Sequence, residues 1–204
     1  MSTDKSHFSK KEAIKQGYEA VKKNFFFILK ILVVLAFAYT VPNSIQRSVA
    51  DNGNLFIVLG ILIWIFNMII NMGLIQISIK FAQKEKVFLR DLFYTKSILT
   101  FVITSFLTGI IVFAGFILLI IPGIYFAIRL QFSTYLIVDK KLGIMDSIKT
   151  SWRITKGHTW NLFLFGLFLF LLNILGVVAL VIGLIVTIPT TGIATAYVYK
   201  KLSQ

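Results

Sequence analysis

A chain of 204 residues that is 57% hydrophobic, with 20 phenylalanines and only 14% charged residues, carries more apolar side chain than a soluble domain of this size hides from water, so a membrane is its simplest solvent. With no cysteine and only two histidines, His7 and His158, it supplies no disulfide framework, thiolate nucleophile or metal-ligand cluster, and neither a metal nor another cofactor is expected. The net charge of +13 does not argue for nucleic acid, because the basic residues flank apolar runs instead of gathering on a soluble face with base-stacking aromatics.

In chain order, the first 24 residues, "MSTDKSHFSKKEAIKQGYEAVKKN", are mostly polar and lack a short apolar core followed by a small-residue cleavage site. They are expected to stay on the mature protein, on the side of the membrane where it is made. A helix rises ~1.5 Å per residue and a bilayer core is ~30 Å thick, so ~20 apolar residues make one crossing. Phe25 to Val41 is one such run, and Lys30, near its start, is expected to snorkel to the interface. "PNSIQRSVADNGN" reads as a solvated loop, and Leu55 to Ile79 as a second, uncharged crossing. Ser97 to Val138, 42 residues, has Arg129 as its single charge; Thr159 to Tyr199, 41 residues, has none. Each is about twice one crossing and reads as a tight helical hairpin. Their turns are expected among the glycines of "GIIVFAGFILLIIPG" and "GVVALVIGLIVTIPTTG", upstream of the Ile-Pro pairs, since a proline near a helix start gives up an N–H that would be unpaired there.

The resulting expectation is a single all-α domain over 1–204, a polytopic membrane protein of about six transmembrane helices arranged as three hairpins. "AIKQGYEAVKKNFF" and "SIKTSWRITKGHTW" align without gaps at a shift of 134, matching Ile14 with Ile148, Lys15 with Lys149, Tyr18 with Trp152, Lys22 with Lys156 and Phe26 with Trp160. "FLRDLFYTKSILTF" is a weaker third copy. Approximate repeat units therefore run 9–84, 86–141 and 143–201, each an amphipathic interfacial elbow helix followed by a hairpin. In the third elbow Ile144, Met145, Ile148, Trp152 and Thr155 share one arc, with Asp146, Lys149, Arg153 and Lys156 on another. In the first, Ile14, Tyr18, Val21 and Phe25 recur at helical spacing, and Ser9 with Glu12 fits a capping box. Such helices are expected to lie in the interface, aromatic side inward and basic side toward anionic headgroups, either as plain anchors or as lipid-recognition elements. Eighteen bases, among them Lys5, Lys23, Lys80, Lys84, Lys86, Arg90, Lys140, Lys149, Lys200 and Lys201, fall on one side of the six-span layout and Arg47 alone on the other. That asymmetry puts both termini in the cytoplasm.

"IPGIYFAIRLQF", then "VDKKLG" and "DSIKTSWRITKGHTW", resembles the YciC-like family of bacterial integral membrane proteins and the related membrane domain attached to some glycerophosphoryl diester phosphodiesterases. The matching residues are Pro122-Gly123, Arg129, Asp139, Ile148-Lys149, Ser151-Trp152 and Lys156-Gly157; Ser147 stands where the family has alanine. The resemblance implies a polytopic fold in the bacterial cytoplasmic (inner) membrane and no particular activity. The phosphodiesterase activity does not come with it, because the chain has no soluble catalytic domain.

Arg129 is the residue that breaks the apolar pattern. Ten residues before Asp139, its α-carbon would lie ~15 Å from the cytoplasmic end. A central arginine costs ~2.5–3.5 kcal/mol to insert and so needs a partner. Asn71, nine residues before Lys80 and on one face with Asn67 and Ser78, is the expected one. Thr100, Thr104 and Thr108, and Gly183, Thr187, Thr191 and Thr195, recur every four residues and suit close helix packing. Arg129, Asn71, Asn67, Thr104 and Thr191 are thus the candidate polar core, structural or ligand-binding; Lys149, Trp152, Arg153, Lys156, Tyr18 and Lys22 are the candidate interfacial set. The chain has no helical His-Glu metal motif, phosphate loop or Ser-His-acid set, and its carboxylates are peripheral, so no enzymatic activity is expected. The expected function is that of a bacterial inner-membrane accessory or scaffold protein engaging membrane lipids, anionic headgroups included, or a partner membrane protein. The alternative is a small-solute or anion transporter or channel using Arg129 at mid-membrane depth.

Overall fold

The computed structural model of the chain describes residues 8–179 and 183–204. Lys5, His7 and residues 180–182 of the last expected turn lie outside them. The described chain is helical: α1 (Lys10–Lys23), α2 (Phe25–Ser48), α3 (Gly53–Ala82), α4 (Ile98–Leu118), α5 (Ile120–Leu130), α6 (Ser133–Lys140), α7 (Ile144–Ile154), α8 (Thr159–Val178) and α9 (Leu184–Leu202), with a short 3-10 turn, Leu89–Phe93, between α3 and α4. Five segments are long and apolar enough to cross a membrane: Phe25–Ser48, Gly53–Ala82, Ile98–Leu118, Ile120–Lys140 and Thr159–Val178. Helix α9 falls short of that measure, because Pro189, four threonines and Lys200 with Lys201 dilute its apolar content.

Several expected boundaries move. Helix α2 runs through Pro42 to Ser48 and leaves only Val49–Asn52 as the connection. The polar residues expected to open a loop instead fold back onto the helix: the Thr40, Asn43 and Ser48 side chains donate to the carbonyls of Ala36, Tyr39 and Ile45. Helix α3, 30 residues and ~45 Å long, exceeds a bilayer core by half. The fourth expected span is two helices, α5 and α6, broken at Gln131 and Phe132. The second expected elbow is no amphipathic helix but the five-residue 3-10 turn, capped by Asp91 Oδ2, which accepts from Phe88 N–H at 2.9 Å. The connection from α4 to α5, at Leu119, does lie between Gly115 and Pro122, where the two helices touch through Gly115 and Gly123.

The short elements each rest on other helices, and for α1 and α7 these include helices that are not chain neighbours. Helix α1 packs on α9, the 3-10 turn on α3, and α7 on α4, α5 and α6. Their docking faces are small rather than bulky. Helix α1 buries Ala13, Gly17 and Val21 while Tyr18 is half exposed; α7 buries Ser147 and Ser151, with Thr155 buried just past its end, while Met145 is exposed. The alignment shift of 134 carries the first triplet onto the second, residue for residue. Of the expected capping box, Ser9 Oγ accepts from Glu12 N–H at 3.3 Å, but the Glu12 carboxylate is drawn away to Tyr197 OH, 2.6 Å off. At the centre, α3, α6 and α9 meet around Met72, Ile79, Phe132, Leu136, Val198 and Tyr199, all buried.

Two tests follow from this packing. A Cβ at Gly73 would overlap the backbone of Leu92, so Gly73→Ala is expected to cost ~1–3 kcal/mol and lower the melting temperature in mild detergent. Gly109→Ala, with nothing within 4 Å, is expected to leave it unchanged or gain up to about 1 kcal/mol. The turn is also tied by Lys80 Nζ to Asp91 Oδ1 at 2.8 Å. Burial alone raises the Asp91 carboxyl, but the Lys80 ammonium, the Phe88 N–H and Arg90 outweigh it and hold its pKa below the usual carboxylate value. Because the folded pKa is depressed, this stabilisation is present above pH ~4 and is lost as the pH falls through the folded value. Melting curves between pH 2 and 6 should show a slope that Asp91→Asn reduces.

Candidate functional site

Helix α5 carries "IIPGIYFAIRL", in which Tyr125 and Arg129 are four residues apart and share a face. Arg129 is 3% exposed. Its guanidinium carbon sits 4.3 Å from the ring centroid of Trp152 on α7 and 5.8 Å from that of Tyr125. The cradle is itself built from ring contacts: Trp152 meets Tyr125 edge-on at 5.7 Å and Phe126 at 6.0 Å. A cation over a desolvated indole gains ~2 kcal/mol or more, comparable to the insertion cost of the arginine. Among the described residues its Nε has no hydrogen-bond partner, so the aromatic faces are its main described compensation.

The backbone at the same place is equally dependent on α7. Where α5 stops, the Arg129 carbonyl loses its helical donor; Ser151 Oγ donates to it at 2.9 Å, while the Thr155 hydroxyl lies 3.3 Å away and donates at 2.8 Å to the Ser151 carbonyl of its own helix. Across the break, Phe132 N–H donates to Ser151 Oγ at 3.2 Å. One hydroxyl therefore joins both sides of the interruption, which only a short side chain at close range can do.

Arg129 and Trp152, one expected in mid-span and the other in the interface, are thus a single unit. Asn71 is not Arg129's partner: it is exposed and its amide donates to Asn67 O at 2.8 Å, because an asparagine in a helix reaches its own preceding turn more readily than another helix. Asn67 is partly buried on α3. Thr104 is fully buried with no described partner for its hydroxyl, and Thr191 is 9% exposed with its hydroxyl on Ile188 O; neither joins the Arg129 unit by any described hydrogen bond. Lys22, Lys149, Arg153 and Lys156 are exposed. The residues that sequence reasoning passed over are Ser151, as the hydroxyl that bridges the break, and Thr155 buried beside it; their spacing of four, shared with Ser147, was the available signal.

A second region lies at the lysine-rich end. A cleft of about 650 Å³ is lined by Lys23, Lys84, Lys86, Glu19 and Glu85 over Phe27 and Phe81. A neighbouring one of about 500 Å³ is lined by Lys140, Lys200 and Lys201, and the two share Ala82 and Glu85. Beside the second, Lys200 Nζ and Tyr199 OH both bond the Asp139 carboxylate at 2.8 Å, and Lys140 Nζ donates to Ser203 O at 2.7 Å. Among the described residues no group of three or more His, Asp or Glu is placed to hold a metal ion.

Substitutions at the break should read out its chemistry. Ser151→Ala strands the Phe132 N–H and is expected to cost ~1–3 kcal/mol. Trp152→Leu leaves the guanidinium without its ring and should cost at least as much, whereas Trp152→Phe retains part of the stability. The double variant Arg129→Leu/Trp152→Leu should lose less than Trp152→Leu alone, measured by thermal unfolding in mild detergent.

Uncharacterized proteins of Mycobacterium tuberculosis and Mycobacterium bovis are each 24% identical to the chain over 131 residues, 64% of this chain and 40% of theirs. The chain spans about two fifths of the length of these curated relatives. No solved structure matches it. A family model described as a domain of unknown function, DUF7847, matches residues 88–201, from the 3-10 turn to α9 and including both Arg129 and Trp152. That match takes in more than half of the sequence, and the chain belongs to this family.

Proposed function

We propose that the chain is a non-enzymatic protein of the bacterial cytoplasmic membrane that engages anionic lipid headgroups at its cytoplasmic end and serves as an accessory or scaffold there, for lipids or for a partner membrane protein. It crosses six times, with α9 as the sixth crossing and α1 and α7 at the cytoplasmic boundary, and both termini are cytoplasmic. The likeness to the YciC-like membrane proteins belongs to this proposal. The observation that carries it is the gathering of Lys23, Lys84, Lys86 and Lys201 around two adjoining clefts, from three parts of the sequence, beside Lys140 and Lys200, which are bonded within the fold. Juxtamembrane lysines attract the anionic leaflet by ~1 kcal/mol each, and so many together favour its headgroups over zwitterionic ones.

A second reading, a small-solute or anion transporter, draws on the interrupted α5 and α6, since transporters build sites at broken helices. Against it, the carbonyl freed by the break is occupied by the Ser151 hydroxyl, and the arginine by Trp152.

The absence of cysteine makes orientation directly testable. In intact spheroplasts an impermeant maleimide should label Asn52→Cys and leave Lys86→Cys and Ser203→Cys unlabelled until the membrane is opened; the reverse pattern overturns the orientation. Lipid co-extracted with the protein should be enriched in phosphatidylglycerol over the bulk membrane, and proteoliposomes should show no Arg129-dependent anion flux. Flux abolished by Arg129→Leu would install the transporter reading instead.

A further inference from the structure

We infer that the larger lysine-lined cleft and an apolar slot beside it form one site for a single anionic glycerophospholipid, with its phosphate on the lysines and the first methylenes of one acyl chain in the slot. The inference rests on the lipid-engaging reading above and gives it a place and a ligand. The slot lies between α2, α3 and α9, holds about 160 Å³, and is walled by aliphatic side chains such as Ile31, Leu35, Leu74 and Ile77. It adjoins the cleft at Phe81 and Ile193, which line both. A charged, open chamber leading to a narrow apolar one follows the pattern of an amphiphile rather than that of a soluble anion, for which the slot would be useless, or of a hydrocarbon, for which the lysines would be.

The charge balance selects the headgroup. Lys23, Lys84 and Lys86 are all exposed on the cleft. Its two carboxylates, Glu85 and Glu19, the latter also within 3.8 Å of Lys15, face three ammonium groups and leave a positive surplus. A phosphodiester with no compensating headgroup cation fits that surplus, and a choline ester does not.

Local backbone points the same way. Helix α3 ends in a Schellman arrangement, with Glu85 N–H on Lys80 O at 2.9 Å and Lys84 N–H on Phe81 O at 3.1 Å. The left-handed residue of such an ending is usually glycine, yet Lys84 occupies it at φ 59°. A lysine in the glycine seat strains the backbone and sets its ammonium on the cleft rim. On the other side, α9 contributes Pro189 and Gly192 to the slot, and a Cβ at Gly192 would meet a single atom within 4 Å, Ser78 Oγ at 3.4 Å. The slot is open because that position carries no side chain, and a side chain placed there would occupy it.

These two residues supply the test. The full chain in mild detergent is titrated with dioleoylphosphatidylglycerol or dioleoylphosphatidylcholine and followed by native mass spectrometry beside thermal unfolding. Wild type should take up one phosphatidylglycerol about tenfold more tightly than phosphatidylcholine. Gly192→Leu should lose this first site for both lipids with an unchanged melting temperature. Lys84→Gly should weaken phosphatidylglycerol several-fold, leave phosphatidylcholine as it was, and raise the melting temperature, since the left-handed strain is relieved while the charge is lost. That opposition of affinity and stability is something a purely structural lysine does not produce, and it decides the matter if Gly192→Leu fails to fold. First-site affinity unchanged in Lys84→Gly and in a folded Gly192→Leu overturns the site and leaves the lipid-engaging reading standing. Equal binding of the two lipids by wild type, or no first site at all, overturns both.

Discussion

An interrupted helix inside an apolar layer cannot leave its backbone open, and the rest of this structure is arranged around that constraint. At Gln131 and Phe132 the fourth long apolar segment stops and restarts, freeing a carbonyl on one side and an N–H on the other. The Ser151 hydroxyl serves both, and Thr155 packs beside it. Meeting this need brings α7 hard against α5 and α6. Once it is there, Trp152 stands over Arg129, and the only charge between Ser97 and Val138 acquires an aromatic lid. The break, the serine and the arginine are one device: without the interruption there is no hydroxyl dock, and without the dock the guanidinium loses its ring.

The same logic of close approach recurs at α1. Between helices in lipid, apolar bulk confers little advantage, since acyl chains are as apolar as leucine; short side chains and hydrogen bonds across the seam decide which helices meet. Gly17 lets α1 lie on the backbone of Thr190 and Ala194 in α9, as Ser151 lets α7 lie on Arg129. Gly73 admits the Leu92 backbone onto α3 in like fashion. Larger apolar residues on these short elements, Tyr18 and Met145 among them, are left on the outside, available to lipid.

Charge is divided between two tasks. Arg129 is enclosed, and Lys80, Lys200 and Lys140 are tied to Asp91, Asp139 and the Ser203 carbonyl, so these cations serve the fold. Lys23, Lys84 and Lys86 are left exposed beside a cleft. It is this second set, and not the arginine that stands out in the sequence, that the molecule offers to its surroundings.

Composition and run length alone determined that the chain is helical and apolar enough for a membrane, because ~20-residue apolar runs are a local property that survives any arrangement of neighbours. They also marked Arg129 and Trp152 individually, each being an unusual residue for its surroundings. What they could not convey is that the two touch: they lie on different helices, and the link between those helices is one small hydroxyl, that of Ser151, which is unremarkable in any hydropathy pattern. The elbow faces were legible only in part: of the arc Ile14, Tyr18, Val21 and Phe25, Val21 is buried and Ile14 partly so, whereas Tyr18 and Phe25 are exposed and the docking is completed by Ala13 and Gly17, the residues with least side chain. Pro42 and the polar residues around it resembled a loop because their back-bonding to Ala36, Tyr39 and Ile45 carbonyls exists only once the helix does. Tertiary structure decided these points because close contact between helices depends on the absence of side chain, and an absence acquires meaning only when something else arrives to fill it.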